Sequence, residues 1–271
     1  LGETDCEVIR TRDVDVIASA DYVVDVGGEY SEKNNIFDHH QEGGAGTRTN
    51  GIPYSAFGLV WKKYGKEICE SQSIAESIEQ RLVYPIDAAD NGVNTYEKVL
   101  DDVTPYLIHT VIDLLRPTWK EEEHGMSYDS CFMEAVEIAL RVLHREIKKA
   151  QDTEEGIVFV KKAYEEAGDK RIIVVDGSYP WERVLSEYPE PLYVVKPGGE
   201  GSGMWRVKAV RSNPDVSFEN RKDLPKEWAG KTGEELVAIT GVSDAVFCHN
   251  KLFNAGARSK EGALQLARLA V

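Results

Sequence analysis

Three short stretches of the sequence carry aspartate and histidine residues whose types and spacing suit the binding of divalent metals. The most distinctive is Asp38-His39-His40, which follows a short apolar segment and precedes a glycine-rich loop. Imidazole and carboxylate together suit Mn, Fe, Co or Zn. Adjacent residues on an extended chain point in opposite directions, so both histidines serve one site only where the strand ends and turns. Taken alone, the stretch fits a surface pair of histidines or a helix cap equally well.

The second stretch is Asp25, which follows Val23-Val24 and precedes Val26-Gly27-Gly28. A carboxylate at the end of an apolar strand is costly to bury without a partner, and a metal ion is one such partner. The alternative, favoured for this residue considered alone, is an aspartate that caps a neighbouring loop.

The third stretch contains Asp87 and Asp90, which lie three residues apart on one face of a predicted helix, just before Asn91-Gly92. Carboxylates are unfavourable near the C-terminus of a helix because of the helix dipole, and a bound cation would offset this. The alternative is a solvated acidic helix end followed by a turn.

The predicted elements place these stretches at the ends of strands and of a helix. Strands are expected at Glu7–Thr11, Tyr22–Val26 and Asn35–Asp38, and helices at Tyr54–Cys69 and from an N-cap at Ser73 to Asp90. Short apolar strands separated by helices are typical of a parallel sheet in an α/β domain. The opening residues Leu1–Thr4 predict the end of a helix, with Gly2 as its cap, so a strand and a helix are expected upstream.

The remainder of the chain changes character from helical to mixed. Helices are predicted at Leu107–Leu115, Tyr128–Ala150 and Trp181–Leu185 and from the cap Ser259 to Ala270, and strands at Arg171–Val175, Leu192–Lys196, Trp205–Val210 and Ala245–His249. The predicted fold class is therefore α/β, with a parallel doubly wound N-terminal sheet and a smaller α+β C-terminal domain. The predicted domains are residues 1–150 and 151–271.

Composition restricts the classes of protein that fit. The 271 residues include 32 Lys plus Arg and 47 Asp plus Glu, a net charge of −15, so a polyanion would have to be held by a local basic patch or a metal. The 42% hydrophobic content excludes wholesale disorder. No apolar run approaches the ~20 residues that cross a bilayer, so no membrane span is expected. Four separated cysteines without a CxxC pair predict free thiols in a cytoplasmic protein.

The three stretches together resemble a known family. Val-Asp-Val-Gly-Gly, Phe-Asp-His-His and Ile-Asp-Ala-Ala-Asp-Asn-Gly resemble, in this order, the second to fourth motifs of the DHH phosphoesterase superfamily. More narrowly, the chain resembles the melanocyte-proliferating-gene exonuclease family over essentially its whole length. Further matching stretches are Ile9–Asp13, Arg116–Trp119, Phe247–His249 and Gly256–Leu264. The family's first motif has its place upstream of Leu1, so we expect the metal site in this chain to be incomplete.

The resemblance implies a role for each residue of the predicted site. Asp25 would bridge two metals, His39 would bind one of them, and Asp90, in preference to Asp87, would complete the second. His40 would contact the scissile phosphate. Asp38 would be a ligand or would orient a histidine.

The resemblance also implies that His249, Arg258, Ser259 and Lys260 bind substrate. Independently of the family, Arg258 and Lys260 stand at the predicted start of the last helix, where free N–H groups and positive charge form an anion site. The alternative is a basic turn that is simply solvated.

These features predict a divalent-metal-dependent phosphodiester hydrolase, a 3′–5′ exonuclease acting on RNA or short oligonucleotides. Mn²⁺ is the first choice of metal, in a two-metal site, with Mg²⁺ or Co²⁺ as substitutes. The negative charge favours short substrates over long polymers. One alternative is a phosphatase of small nucleotides or pyrophosphate, and another is a non-enzymatic binding protein with an incomplete site. The sequence leaves the oligomeric state open, a homo-oligomer included.

Overall fold

The computed structural model describes residues 6–97, 99–214 and 217–271 and divides the chain into two compact units, one up to Gln151 and one from Asp152. The helix end predicted at Leu1–Thr4 lies outside the described residues. Each unit contains its own sheet, so the protein is a mixed α/β protein with two sheets.

The helices and strands have the following bounds. The helices are α1 Val14–Ser19, α2 Ala56–Cys69, α3 Gln72–Ile78, α4 Tyr84–Asp90, α5 Ile108–Asp113, α6 Trp119–Glu123, α7 Tyr128–Glu166, α8 Trp181–Ser186, α9 Gly233–Thr240 and α10 Lys260–Ala270. The strands are β1 Val23–Val24, β2 Tyr30–Ser31, β3 Ile36–Phe37, β4 Ile172–Val174, β5 Tyr193–Pro197, β6 Trp205–Ala209, β7 Ala245–Cys248 and β8 Asn254–Ala257.

The N-terminal sheet has three short strands in the order β1-β3-β2. Strand β3 pairs in parallel with β1, with Val23 opposite Ile36, and antiparallel with β2. The antiparallel pair follows from chain length, because the four residues between β2 and β3 are too few for a parallel crossover. Among the described residues, the predicted doubly wound parallel layout is therefore not seen. The strands β1 and β3, which precede Asp25 and Asp38, do pair in parallel as predicted.

Three sequence predictions of local structure were wrong in detail. Glu7–Thr11 forms no strand, since no described segment pairs with it. The cap before α3 is Ser71, not Ser73, because extended Ser71 accepts the N–H of Ile74. Helix α7 continues 16 residues past Ala150, because Ile157 and Val160 still find apolar neighbours in the C-terminal unit.

The C-terminal sheet has five strands in the order β4-β5-β6-β8-β7, with one parallel pair, β4 with β5. One face packs on α9 and α10 around Tyr193, Val207 and Leu266, and the β4 and β5 end of the other face packs on α8 and the last turns of α7. This mixed sheet agrees with the predicted α+β class. All four cysteines are free thiols. None of the helices in the described ranges is both long and apolar enough to span a membrane.

Candidate metal centre

The candidate site forms where the parallel strands β1 and β3 end. Asp25 directly follows β1, and its N–H continues the strand ladder with a 3.0 Å bond to the carbonyl of Phe37. Asp38 directly follows β3. Because the carboxyl ends of parallel strands meet at one edge of a sheet, the pairing brings these two aspartates and the following His39 together.

The backbone at Asp25 is unusual and helps to form the site. Asp25 has a left-handed φ of 64°, and Gly27 and Gly28 also have positive φ. A non-glycine residue in this conformation costs about 1–2 kcal/mol, least for Asn and Asp. The turn ends the strand at Asp25, which leaves its carboxylate facing the histidines. The strained residue is thus itself one of the candidate ligands.

Three candidate ligands, Asp25, His39 and His40, offer atoms within 4.8 Å of one another, and Asp90 lies beside His39. His39 Nε2 lies 3.4 Å from Asp25 Oδ1 and 3.2 Å from Asp90 Oδ2, and His40 Nδ1 lies 3.9 Å from Asp25 Oδ1. Two ligands of one ion, each at about 2.1 Å, are at most about 4.2 Å apart, so His39 Nε2 is close enough to share an ion with Asp25 or with Asp90. The His39 side chain is 9% exposed, whereas those of Asp25 and Asp90 are more than half or half exposed. The cluster is therefore closed beneath His39 and open to solvent at the carboxylates.

The electrostatics of the cluster also fit a cation. Burial and the negative charge of Asp90 raise the pKa of Asp25, and the imidazoles of His40 and His39 oppose this shift. A divalent ion would remove the repulsion between the two carboxylates. Because the donors are carboxylate oxygen and imidazole nitrogen without thiolate, the set suits Mn, Co, Fe or Zn.

Asp38 orients His40 and is itself held by the backbone. The buried carboxylate accepts N–H bonds from Gly28 at 2.6 Å, His39 at 2.7 Å and His40 at 3.1 Å, and its Oδ1 lies 2.7 Å from His40 Nδ1. Burial alone would raise the pKa of Asp38, but the bonds from His40, Gly28 and His39 outweigh it and lower the pKa. The ionised carboxylate only accepts, so His40 Nδ1 carries the proton.

The hydrogen bond between Asp38 and His40 also changes the pKa of His40. Hydrogen bonding to Asp38 raises the pKa of His40 above its ordinary value, against the opposing effect of burial. The charges of Asp25 and Asp90 add to this shift. His40 therefore takes up a proton more readily than a free histidine, and its imidazolium form donates hydrogen bonds to anions.

Asp87, the alternative metal ligand predicted from the sequence, lies outside the cluster and is bound by other groups of the protein. Its carboxylate is fully buried and binds Arg48 Nη1 at 2.6 Å, Ser55 Oγ at 2.6 Å and the N–H of Gly58 at 3.1 Å. Each oxygen of the carboxylate therefore already accepts at least one hydrogen bond from the protein. On helix α4, Asp90 faces the histidines, and Asp87 instead joins α4 to α2.

The predicted anion site at the start of α10 is already filled by the protein's own carboxylate. Asp244 Oδ2 accepts the N–H of Ser259 at 2.7 Å, and the carbonyl of Asp244 accepts the N–H of Arg258 at 3.0 Å. Gly262 leaves room for this arrangement, because a Cβ there would lie 2.0 Å from Asp244 Oδ1. An aspartate therefore neutralises the helix N-terminus, and Lys260 rests over the Trp205 ring at 5.4 Å.

The four predicted substrate-binding residues do not form one group. Antiparallel strands β7 and β8 pair Ala245 with Ala257 at one end, where Arg258 to Lys260 follow, and His249 lies in the turn at the other end. Four strand residues span about 13 Å, so His249 is separated from Arg258 by the length of the hairpin.

Sequence reasoning missed Arg48 and Asp244, which position the two helices that begin or end near the predicted sites. Arg48 lies 39 residues from Asp87 and carries no local signal. A signal for Asp244 does exist, because the Gly262 in the first turn of α10 indicates a close neighbour.

Comparison with known proteins gives one consistent result. A family model named MYG1_exonuc and described as "Uncharacterised protein family (UPF0160)" matches residues 3–271. The chain is 29% identical to "MYG1 protein C694.04c" of Schizosaccharomyces pombe over 98% of its length and 88% of that protein. It is 31% identical to "MYG1 protein" of Dictyostelium discoideum over 97% of its length and 87% of that protein. It is 27% identical to "MYG1 exonuclease" of Homo sapiens over 97% of its length and 77% of that protein.

No solved structure matches the chain. The family match nonetheless covers the candidate metal cluster and the C-terminal sheet alike, and it agrees with the narrower of the two resemblances found in the sequence. The chain belongs to the MYG1 exonuclease family.

Proposed function

We propose that this protein is a divalent-metal-dependent phosphodiester hydrolase of the DHH superfamily, a 3′–5′ exonuclease acting on RNA or short oligonucleotides. The observation that carries the proposal is the meeting of three separated stretches of chain at His39, whose Nε2 lies 3.4 Å from Asp25 Oδ1 and 3.2 Å from Asp90 Oδ2. The human relative is named an exonuclease, which supports the same reaction class.

In this proposal Asp25, His39 and Asp90 hold the metal, with Mn²⁺ preferred and Mg²⁺ or Co²⁺ as substitutes. When bound, a divalent ion polarises a phosphoryl oxygen and lowers the pKa of a bound water. Buried Asp38 fixes the ring of His40 through the 2.7 Å bond to Nδ1. His40 then donates a hydrogen bond from its other nitrogen to a phosphate oxygen, which positions the substrate and offsets its negative charge.

The test measures Mn²⁺ binding by calorimetry and hydrolysis of RNA octamers labelled at the 5′ end, using the full-length protein. We expect single nucleotides to be released from the 3′ end in Mn²⁺ and no release in EDTA. Asp25→Asn and His39→Ala should each lower turnover by at least a hundredfold and weaken Mn²⁺ binding. The matched controls are Asp101→Asn and His124→Ala, exposed residues outside the cluster, which should leave both unchanged.

Three other outcomes would contradict the proposal. Release of phosphate from pyrophosphate or mononucleotides, with intact oligonucleotides, would identify a small-molecule phosphatase. Failure of the protein to bind Mn²⁺ would identify a binding protein without hydrolase activity. Full turnover in His39→Ala would show that the reaction proceeds elsewhere.

A further inference from the structure

We propose that the face of the C-terminal sheet opposite α10 binds the phosphates and riboses of a single-stranded oligonucleotide through Lys196, Arg206 and Lys208. We call this face the cationic face. The inference rests on the proposed function in one respect, since its occupant is the substrate of that reaction. The binding itself requires neither metal nor hydrolysis.

Strand register places the three cations side by side. Lys196 lies opposite Arg206, and Lys208 follows two residues after Arg206. Alternate residues of a strand share one face, so all three side chains rise from the same side of the sheet. Opposite residues have Cβ atoms about 5 Å apart, and neighbours on one strand are about 7 Å apart. The intervening Val207 points into the core on the other face.

The charges of the described residues offset this crowding of positive charge only in part. In the part of the chain that the structure describes, no carboxylate forms an ion pair with Lys196, Arg206 or Lys208. Burial lowers the pKa of Lys196 and of Lys208, and Arg206 repels both. Glu182 is the carboxylate that partly offsets this repulsion, and Arg211 adds to it. Like charges opposite each other destabilise a sheet, so an anionic ligand would relieve a cost built into the fold.

Two buried polar atoms on the same face have no hydrogen-bond partner within the described ranges. They are Nε of Arg206, a donor, and Oδ1 of Asn254, an acceptor on a side chain that is 6% exposed. Asn254 lies opposite Lys208 in the register, so both atoms belong to the cationic face. Buried polar atoms are seldom left unpaired. A phosphate oxygen satisfies Arg206 and a ribose hydroxyl satisfies Asn254, which favours a nucleotide chain over a bare phosphate.

Aromatic rings accompany the cations. Arg206 lies over Phe247 at 5.3 Å, and Lys208 lies over Phe253 at 5.3 Å. Gly256, opposite Arg206, lets the Phe247 ring lie across the strand, because a Cβ there would come within 2.6 Å of it. Alternation of cations with aromatic rings is typical of surfaces that bind single strands.

His249 belongs to this end of the sheet. Its ring lies 4.5 Å from that of Phe253, and its N–H bonds the carbonyl of Asn254 at 2.8 Å. The substrate-binding role predicted for His249 therefore fits the cationic face, in contrast to Arg258 at the far end of the hairpin. In a protein with a net charge of −15, such a local patch is what binding of a polyanion requires.

The test measures binding of a fluorescein-labelled RNA octamer by anisotropy in EDTA, so that hydrolysis does not contribute. Lys196→Gln, Arg206→Gln and Lys208→Gln should each weaken binding about tenfold. Each should also reduce the slope of log affinity against log salt by about 0.7, the value for one contact to a single strand. The matched controls, Lys162→Gln and Lys226→Gln, remove exposed cations outside the face and should change affinity less than twofold.

Thermal unfolding distinguishes loss of binding from loss of structure in these variants. Because Lys208→Gln removes a repulsive charge, its midpoint of thermal unfolding should equal or exceed that of the parent protein while binding falls. Gly256→Ala displaces Phe247 and should weaken binding without changing any charge. Inorganic triphosphate should compete more weakly than the octamer.

Several results would overturn the inference. One is failure of the parent protein to bind RNA, and another is unchanged RNA affinity of the variant that combines all three charge substitutions. A third is competition by polyglutamate as strong as that by unlabelled RNA. Binding in EDTA that depends on the cationic face, without hydrolysis in Mn²⁺, would refute the proposed exonuclease and leave this inference standing. Hydrolysis in Mn²⁺ together with unchanged RNA binding in all three variants would refute this inference and leave the proposed exonuclease standing.

Discussion

Replacing Asp87 by Asn tests whether this residue is a structural ion-pair partner or a metal ligand. The change keeps the shape of the side chain and removes its charge. Arg48, whose side chain is 4% exposed, would lose the partner at 2.6 Å and retain Glu79 at 3.0 Å. Its guanidinium stays 3.9 Å over the ring of Tyr54.

The size of the effect follows from burial. Breaking a buried ion pair on one side costs about 3–5 kcal/mol, because the remaining charge stays buried. Glu79 keeps part of the compensation, so we expect the lower end, about 3 kcal/mol of unfolding free energy. For a unit of about 150 residues, this lowers the melting temperature by about 6–12 °C. Glu79→Gln, the matched control on the more exposed partner, should cost about 1 kcal/mol or less.

The assay combines calorimetry with hydrogen exchange, because a protein of two units need not unfold in one step. Faster exchange in α2 and α4 of Asp87→Asn, with α10 unchanged, would locate the effect in the N-terminal unit. Arg48→Met combined with Asp87→Asn should cost less than the sum of the single changes, by at least about 1 kcal/mol, since the two residues are in contact.

Two results would refute this reasoning. Additivity of Arg48→Met and Asp87→Asn within about 0.5 kcal/mol would show that the two groups do not interact. Loss of Mn²⁺ binding by Asp87→Asn at unchanged stability would show that Asp87 is a ligand after all. The structure instead predicts that the variant still binds one Mn²⁺ per site wherever it remains folded, because Asp90 is retained.

Three further predictions address the loop, a buried thiol and the last helix. Asp25→Gly should abolish Mn²⁺ binding in calorimetry. It should also raise the unfolding free energy by up to about 1 kcal/mol, because glycine adopts the φ of 64° without strain. A lower unfolding free energy would show that Asp25 is not strained. Burial raises the pKa of Cys248 from 9.0 to about 11, so the stability it contributes is complete below pH 9 and is lost as pH rises through 11. Urea unfolding between pH 9 and 11 should show this decline in the parent protein and a shallower one in Cys248→Ala; equal slopes would exclude it. Gly262→Ala should lower the melting temperature by displacing the Asp244 carboxylate, and adding Asp244→Ala should restore part of the loss; no restoration would place the clash elsewhere.

The sequence could predict those parts of the fold and site that depend on local pattern. Strand-end aspartates at Asp25 and Asp38, the helix starting after Ser259 and the apolar faces of α2 and α7 follow from side-chain periodicity and capping, which act over a few residues. It could not predict the length of α7 or the absence of a strand at Glu7–Thr11, because both depend on which distant segments pack or pair with them. Asp87 and Asp90 look equivalent in sequence, since both stand on one helix face near its end.

By itself, the sequence determined the chemical types of ligand, their order along the chain and the parallel pairing that brings Asp25 and Asp38 to one sheet edge. The tertiary structure decided how each charge is used. Arg48 neutralises Asp87, Asp244 occupies the start of α10, and the three cations of the cationic face form no ion pair with a carboxylate of the described residues. The physical reason is that the energy of a charge depends on burial and on its nearest partner, and partners 15 to 39 residues away meet only in the folded chain.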